Sequence, residues 1–468
     1  VDTADAATLP EIPDAPDVET VRLPAEEEAT REAPAAPSPA AAAAPAGAGP
    51  AEAGETDGEP PHFDRPEHIR GIYLNAWAAG SRRRVDELLA LARRTEINTF
   101  VIDIKDASGY VSHRTSVPLA REIGATGEVR IANLPALLRR LKGEGIYPIA
   151  RIVIVKDPLL TAAHPEMAVQ TVDGGVFRDG KGIVWLNPYD RRVWEYHVAL
   201  AREVIGMGFP EIQWDYVRFP DIPAAEKELV AYPGAGDMTK PDAIRSLLAY
   251  SRDELSKDGV RVTADVFGVT ASASRDVGIG QVWESFIGAV DVALPMVYPS
   301  HYWQGSFGYR TPNAYPYEIV RRAMGDALRR SRSVEGAGAT RPWLQDFTLG
   351  KPAYTAAEVR AQIQAVYDSG VDEWILWNPG SHYTEAALEP DGGFPEEPSI
   401  RIAARIVPVS RRMAVLDSVL AAKADSAAAV ARADSARAAA RADSARAAAD
   451  SAAARSTPDT SRAIRGRR

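Results

Sequence analysis

Between residues 69 and 390 the chain alternates short apolar runs, rich in β-branched residues, with longer segments of helical period. The first run, GIYLNAWA (71–78), precedes a helical pattern over Arg82–Arg94. TFVIDIKD (99–106) is followed by a helix at 131–144. YPIARIVIV (147–155) leads into a long loop and a helix beginning near Tyr189, where Asn187 and Pro188 suit an N-cap and first turn. EIQWDYVRF (211–219) precedes a helix after Lys240, and VRVTADVFGV (260–269) a shorter one near 281–287. DVALPMVYP (291–299) and RPWLQDFTL (341–349) precede helices at 317–332 and 355–368, and EWILWNPG (373–380) closes the series.

Eight such strands predict an α/β fold, a (β/α)8 TIM barrel. A doubly wound open sheet alternates in the same way, but it carries a glycine-rich phosphate turn after its first strand. Here that place reads NAWAAGSRRR (75–84), which favours the barrel.

The flanks read differently. Residues 1–62 are Ala, Pro, Glu and Asp with almost no large apolar side chains, so they predict a disordered N-terminal arm. Residues 63–409 form the barrel domain. Residues 410–468 are a low-complexity Ala/Asp/Ser/Arg tail in which ADSARAAAR (433–441) is followed by ADSARAAAD (442–450). Asp434 with Arg437, and Asp443 with Arg446, are opposite charges at i,i+3, so the tail predicts a solvated Ala-rich helix. No large apolar residue recurs at heptad positions, which argues against a coiled coil.

A net charge of −10 disfavours a nucleic-acid partner. The absence of cysteine excludes disulfides, cysteine nucleophiles and thiolate metal sites. No apolar run is long enough for a transmembrane segment. The opening at Val1 and the Pro/Ala/acidic arm fit a trimmed, exported protein of the periplasm, envelope or exterior, with the tails as possible envelope contacts.

Strand parity selects the candidate chemistry. With Ile212, Trp214 and Tyr216 facing the helices, Gln213, Asp215 and Val217 face the barrel axis. The same reading turns inward Thr263 and Asp265, Asp103 and Lys105, Tyr73 and Asn75, Arg151, Gln345 and Asn378. The seven histidines are scattered without HxH or HExxH spacing, so no metal is predicted, and no cofactor either. What remains is carboxylates among Arg, Tyr and Trp, the set needed to cleave a glycosidic bond. Trp77, Trp185, Trp303 and Trp377 fall at strand ends or in the loops above them.

The segments QWDYVRFP (213–220), ADVFG (264–268), MVYPSHYW (296–303), PWLQDF (342–347) and ILWNPGSHY (375–383) resemble a bacterial glycoside hydrolase family of unknown function. That family is grouped with the TIM-barrel glycosidases and is similar in outline to the α-amylase and α-galactosidase superfamilies. The resemblance implies that Asp215 matches the strand-four nucleophile. Gln213 stands where α-amylases carry an arginine, and Asp265 replaces their strand-five glutamic acid.

The expectation is a retaining glycoside hydrolase for a polysaccharide or oligosaccharide, with Asp215 as nucleophile, Asp265 as acid/base and Asp103 in reserve. Tyr73, Asn75, Trp77, Lys105, Arg151, Arg218, Tyr298, His301, Trp303, Gln345 and Asn378 are the expected substrate-binding groups. Two alternatives stay open: a catalytically inactive glycan-binding barrel with its acids buried in salt bridges, and a barrel lyase or epimerase with Lys105 as base.

Overall fold

A computed structural model describes residues 59–456. Eight parallel strands close into a barrel surrounded by helices. They are β1 (Arg70–Leu74), β2 (Thr99–Lys105), β3 (Tyr147–Val153), β4 (Glu211–Asp215), β5 (Arg261–Phe267), β6 (Val292–Val297), β7 (Ala339–Thr340 and Trp343–Gln345) and β8 (Trp374–Trp377). β8 pairs with β1 through Arg70↔Trp374, and β7 pairs with both β6 and β8, so no edge is left open. β7 is in two pieces because Pro342 has no N–H to donate. Its register against β6 is the same on both sides of the break (Ala293↔Thr340, Met296↔Trp343).

Trp214 donates its indole N–H to Ser251 of the helix Lys240–Leu255 at 3.1 Å, which fixes its outward parity. Gln213 and Asp215 consequently face the axis. Layers of Ile72, Phe100, Ile149, Ile212 and Leu294 with zero exposure make the core. At the start of β4, Glu211 accepts from Arg341 at 2.6 Å, and Arg341 also donates to Glu373 at 3.0 Å. This buried ion pair closes the barrel end opposite the rim where function collects.

Several boundaries differ from the sequence reading. The helix expected near Tyr189 is Arg191–Gly206, capped by Asp190, while Asn187 accepts from Tyr189 N–H in a turn just before it. β1 stops at Leu74, and Asn75 caps a short helix, Ala76–Gly80. β4 stops at Asp215, because Tyr216 turns left-handed (φ 53°). Short strands at Gln170–Thr171 and Val230–Ala231 pair antiparallel and tie together the loops after β3 and β4.

The described residues form two compact units that meet in sequence at Val409 and Ser410. The first ends in a hairpin, β9 (Ser399–Ile402) and β10 (Arg405–Pro408). The second is a helix, Arg412–Ser456, with an Asp434–Arg437 pair at 3.6 Å. The arm expected over residues 1–62 lies almost wholly outside the described residues. No helix among the described residues is long and apolar enough to cross a membrane.

Candidate active site

Near the C-terminal rim four consecutive strands each contribute one charged side chain to a single cluster: Asp103 from β2, Arg151 from β3, Asp215 from β4 and Asp265 from β5. Register brings them together, with Asp103 opposite Arg151 and Val153 opposite Asp215. Arg151 donates Nη1 to Asp103 at 2.5 Å and Nη2 to Asp215 Oδ2, and its Nε lies 3.7 Å from Asp265 Oδ2. One guanidinium therefore serves three carboxylates. Its fork is matched to carboxylate geometry and it stays charged at any relevant pH.

The three acids are held differently. Asp215, the last residue of its strand, takes the adjacent Tyr216 N–H on Oδ1 at 2.6 Å. Asp265 accepts Gln213 Nε2 on both oxygens, at 2.9 and 3.1 Å, and the Trp343 indole N–H at 2.7 Å. Burial pushes the Asp265 carboxyl well above the usual carboxylate range, and the charge of Asp215 adds to the push. Asp103 accepts Tyr73 Oη–H at 2.5 Å, and burial raises it to about 6 despite the opposing charge of Arg151.

Aromatic faces surround this group. Tyr73 stacks on Trp377 with centroids 4.0 Å apart, and the Arg151 guanidinium lies 5.2 Å from the Trp377 ring. Trp377, not the expected Asn378, is the inward residue of β8. On the other side Arg218, itself buried, lies 4.6 Å from the Trp185 ring and 4.7 Å from that of Phe267. Tyr298, His301 and Phe347 pack edge to face. His301 and Trp303 line a small cavity with Phe267, Met296 and Tyr302. Burial lowers His301 to about 4, so its imidazole is neutral at pH 7. Gly268 permits this packing, since a Cβ there would meet the Met296 carbonyl oxygen at 2.4 Å.

Other residues expected at the site are engaged elsewhere. A bulge between Asp103 and Lys105 breaks the parity of β2. Lys105 is fully buried, donates to the Val153 carbonyl at 2.8 Å and pairs with Asp157 at 3.0 Å. It touches none of the three site acids, which removes the geometric basis for Lys105 as a base. Asn75 accepts from Ala78 N–H and donates to the Pro379 carbonyl at 2.9 Å. Gln345 accepts from Ser300 N–H and donates to the Phe347 carbonyl, while Asn378 donates to the Asp346 carbonyl at 2.6 Å. These three amides fix rim loops. Trp77 stands 65% exposed on the rim, with the Arg130 guanidinium 5.2 Å from its ring.

Sequence parity alone overlooked Trp343 as a partner of Asp265. Its position two residues before Gln345 on the same strand was the available signal.

Residues 71–383 match the sequence profile of the family described as "putative glycosyl hydrolase domain". The chain belongs to that family. The expected resemblance to a glycoside hydrolase family of TIM-barrel type thus holds over the whole barrel. No curated protein sequence matches the chain. Among solved structures this glycosyl hydrolase domain is similar to a hypothetical protein from Ruminiclostridium thermocellum ATCC 27405, at 39% identity and a TM-score of 0.38, over 42% of this chain and 97% of that one. It is also similar to the PgaB (BpsB) glycoside hydrolase domain from Bordetella bronchiseptica, at 13% identity and a TM-score of 0.49, over 68% and 95% of the two chains. A third is the endo-1,4-β-D-mannanase from Thermotoga petrophila RKU-1, at 15% identity and a TM-score of 0.44, over 66% and 88%.

Proposed function

We propose that this domain hydrolyses a glycosidic bond in a polysaccharide or oligosaccharide with retention, Asp215 acting as nucleophile and Asp265 as acid and base. The observation that carries this reading is the unequal share of Arg151. Asp215 receives a direct charge-assisted hydrogen bond, whereas Asp265 lies 3.7 Å from Nε and is pushed toward its neutral form. A carboxylate bonded directly to the guanidinium, beside one that burial pushes toward its neutral form, suits an anionic nucleophile next to a proton donor. Asp103, raised to about 6, is the reserve donor. Tyr73, Trp377, Trp303 and Trp77 supply apolar faces for sugar rings. An extracytoplasmic location belongs to the same reading, because long polysaccharides are met there, and cell fractionation checks it.

A second reading has its own support. Asp103, Asp265 and Asp215 are only 2%, 2% and 4% exposed, and all contact one guanidinium, as an inactive glycan-binding barrel would have them. One experiment separates the two. Polysaccharides and aryl glycosides are screened for turnover, and the 2-fluoro glycoside of the best substrate is then used to trap a covalent intermediate. A mass increase on the peptide carrying Asp215 supports the proposal. Label on another carboxylate, or inversion at the anomeric carbon, overturns the assignment. Glycan binding without turnover across the screen establishes the inactive barrel.

A further inference from the structure

The loops that follow β6 and β7 are knitted into one wall of the rim. Asn313 donates to the Leu349 carbonyl at 2.9 Å, and Tyr354 Oη–H donates to the Asn313 carbonyl at 3.2 Å. Between the loops lies an open groove of about 840 Å³, lined by Arg310, Thr311, Tyr315, Lys351 and Pro352. Tyr315 rests against the buried Tyr309, with ring centroids 4.5 Å apart, which holds its ring in place.

The exposed charge of this wall is one-sided: the acids that flank it in sequence, Glu318, Asp346 and Glu358, are buried. Residues 298–316 (YPSHYWQGSFGYRTPNAYP) and 347–355 (FTLGKPAYT) contain Arg310 and Lys351 but no Asp or Glu, in a chain of net charge −10. Both cations are exposed, and among the described residues neither side chain has an ion-pair or hydrogen-bond partner. Two exposed cations facing one groove create a local positive potential that the overall charge does not predict. The same loop carries Tyr298, His301 and Trp303, and its Pro299–His301 turn packs against the Pro312–Ala314 turn beside the groove. Nearer Asp215, Lys156 and Arg218 lie 5.2 and 5.3 Å from the ring of Tyr216.

We propose that this groove is an outer subsite for an acidic glycan, a chain whose sugars bear carboxylates, with Arg310 and Lys351 meeting the carboxylates and Tyr315 a sugar ring. The inference rests on the glycan-acting reading of the barrel and narrows it to uronate-containing polymers. Two cations suit a few spaced carboxylates. A nucleic acid, with a phosphate at every nucleotide, would want a longer basic track and a less acidic protein.

The test measures binding, not turnover, by affinity electrophoresis of the 468-residue chain in polygalacturonate, alginate, methyl-esterified polygalacturonate, dextran sulfate and single-stranded DNA. Polygalacturonate or alginate is expected to retard the protein, more weakly at high salt, and esterification should weaken binding by at least about tenfold. The Arg310→Glu/Lys351→Glu variant should lose the preference for the acidic form while keeping the wild-type unfolding midpoint. Equal binding of esterified and free polymer, full binding by the double variant, dextran sulfate or DNA bound as tightly as the polyuronate, or no polyuronate bound would each overturn the inference. If turnover is never found but polyuronate binds through Arg310 and Lys351, the hydrolase reading fails and this one stands. Hydrolysis of neutral glycans alone does the reverse.

Discussion

Arg151 and Asp265 meet at 3.7 Å through Nε and Oδ2, while the two Nη atoms of the same guanidinium donate to Asp103 and Asp215. The cation is the hinge of the site's electrostatics. Removing it leaves three buried carboxylates without their counter-charge.

Arg151→Met should therefore destabilise the barrel by about 3–5 kcal/mol at pH 7, the range for an orphaned buried ionic partner. The deficit should shrink on acidification, because carboxyls that become neutral no longer need the arginine. Urea unfolding at pH 7 and near pH 4 checks this. A deficit that is small, or independent of pH, would show that Arg151 does not organise the acids.

Asp103 gives a pH prediction of definite sign. Its folded value, about 6, lies above the ordinary 3.8, so between these values the folded state binds more protons than the unfolded state. The contribution of Asp103 to stability is full below about pH 4 and is lost as pH rises toward 6, by at most about 1.4 kcal/mol per pH unit. Asp103→Asn should abolish that part of the slope. The difference in unfolding free energy, wild type minus variant, should fall across the window, and a flat difference would contradict the argument.

The pair Lys105–Asp157 is fully buried at 3.0 Å. Lys105→Met alone should cost about 3–5 kcal/mol, since it strands the Asp157 charge, and Lys105→Met/Asp157→Leu should recover much of that loss. Additive losses in the double-mutant cycle would mean that the two side chains do not act as a unit.

Much of this site was legible from strand parity, and the exceptions have local causes. Asp215, Asp265, Asp103 and Arg151 are brought together because β2, β3, β4 and β5 keep strict alternation up to those residues. Lys105 escaped because a bulge shifts β2 by one position after Asp103, which a period-two reading cannot see. Asn75 and Asn378 sit just beyond the ends of β1 and β8, where an amide serves the turning backbone better than it serves a substrate. The cap at Asp190 in place of Asn187 is the same ambiguity, two side chains suited to one role three residues apart. The sharing of Arg151 among three acids is a tertiary fact with no sequence signature.

The contrast between Asp215 and Asp265 is the sharpest test of the proposed chemistry. Asp215→Asn removes the nucleophilic charge with little change of shape, so covalent catalysis is lost along with stabilisation of the oxocarbenium-like transition state. Its effect should reach several orders of magnitude on every substrate that the wild type turns over. Asp265→Asn removes the proton donor and later the base. On aryl glycosides with good leaving groups, which need little protonation, the first step should be less affected than it is on natural glycans. Azide needs no base to attack the glycosyl-enzyme, so it should restore turnover in the Asp265 variant and yield a glycosyl azide of retained configuration. It should leave the Asp215 variant unrescued, or give the inverted azide there by direct displacement. Asp265 also receives bonds from Gln213 and Trp343, so the unfolding midpoint of Asp265→Asn must be measured beside its rates. If Asp265→Asn keeps near wild-type turnover of natural glycans, the acid is not Asp265, and Asp103→Asn should then show the leaving-group dependence and azide rescue in its place.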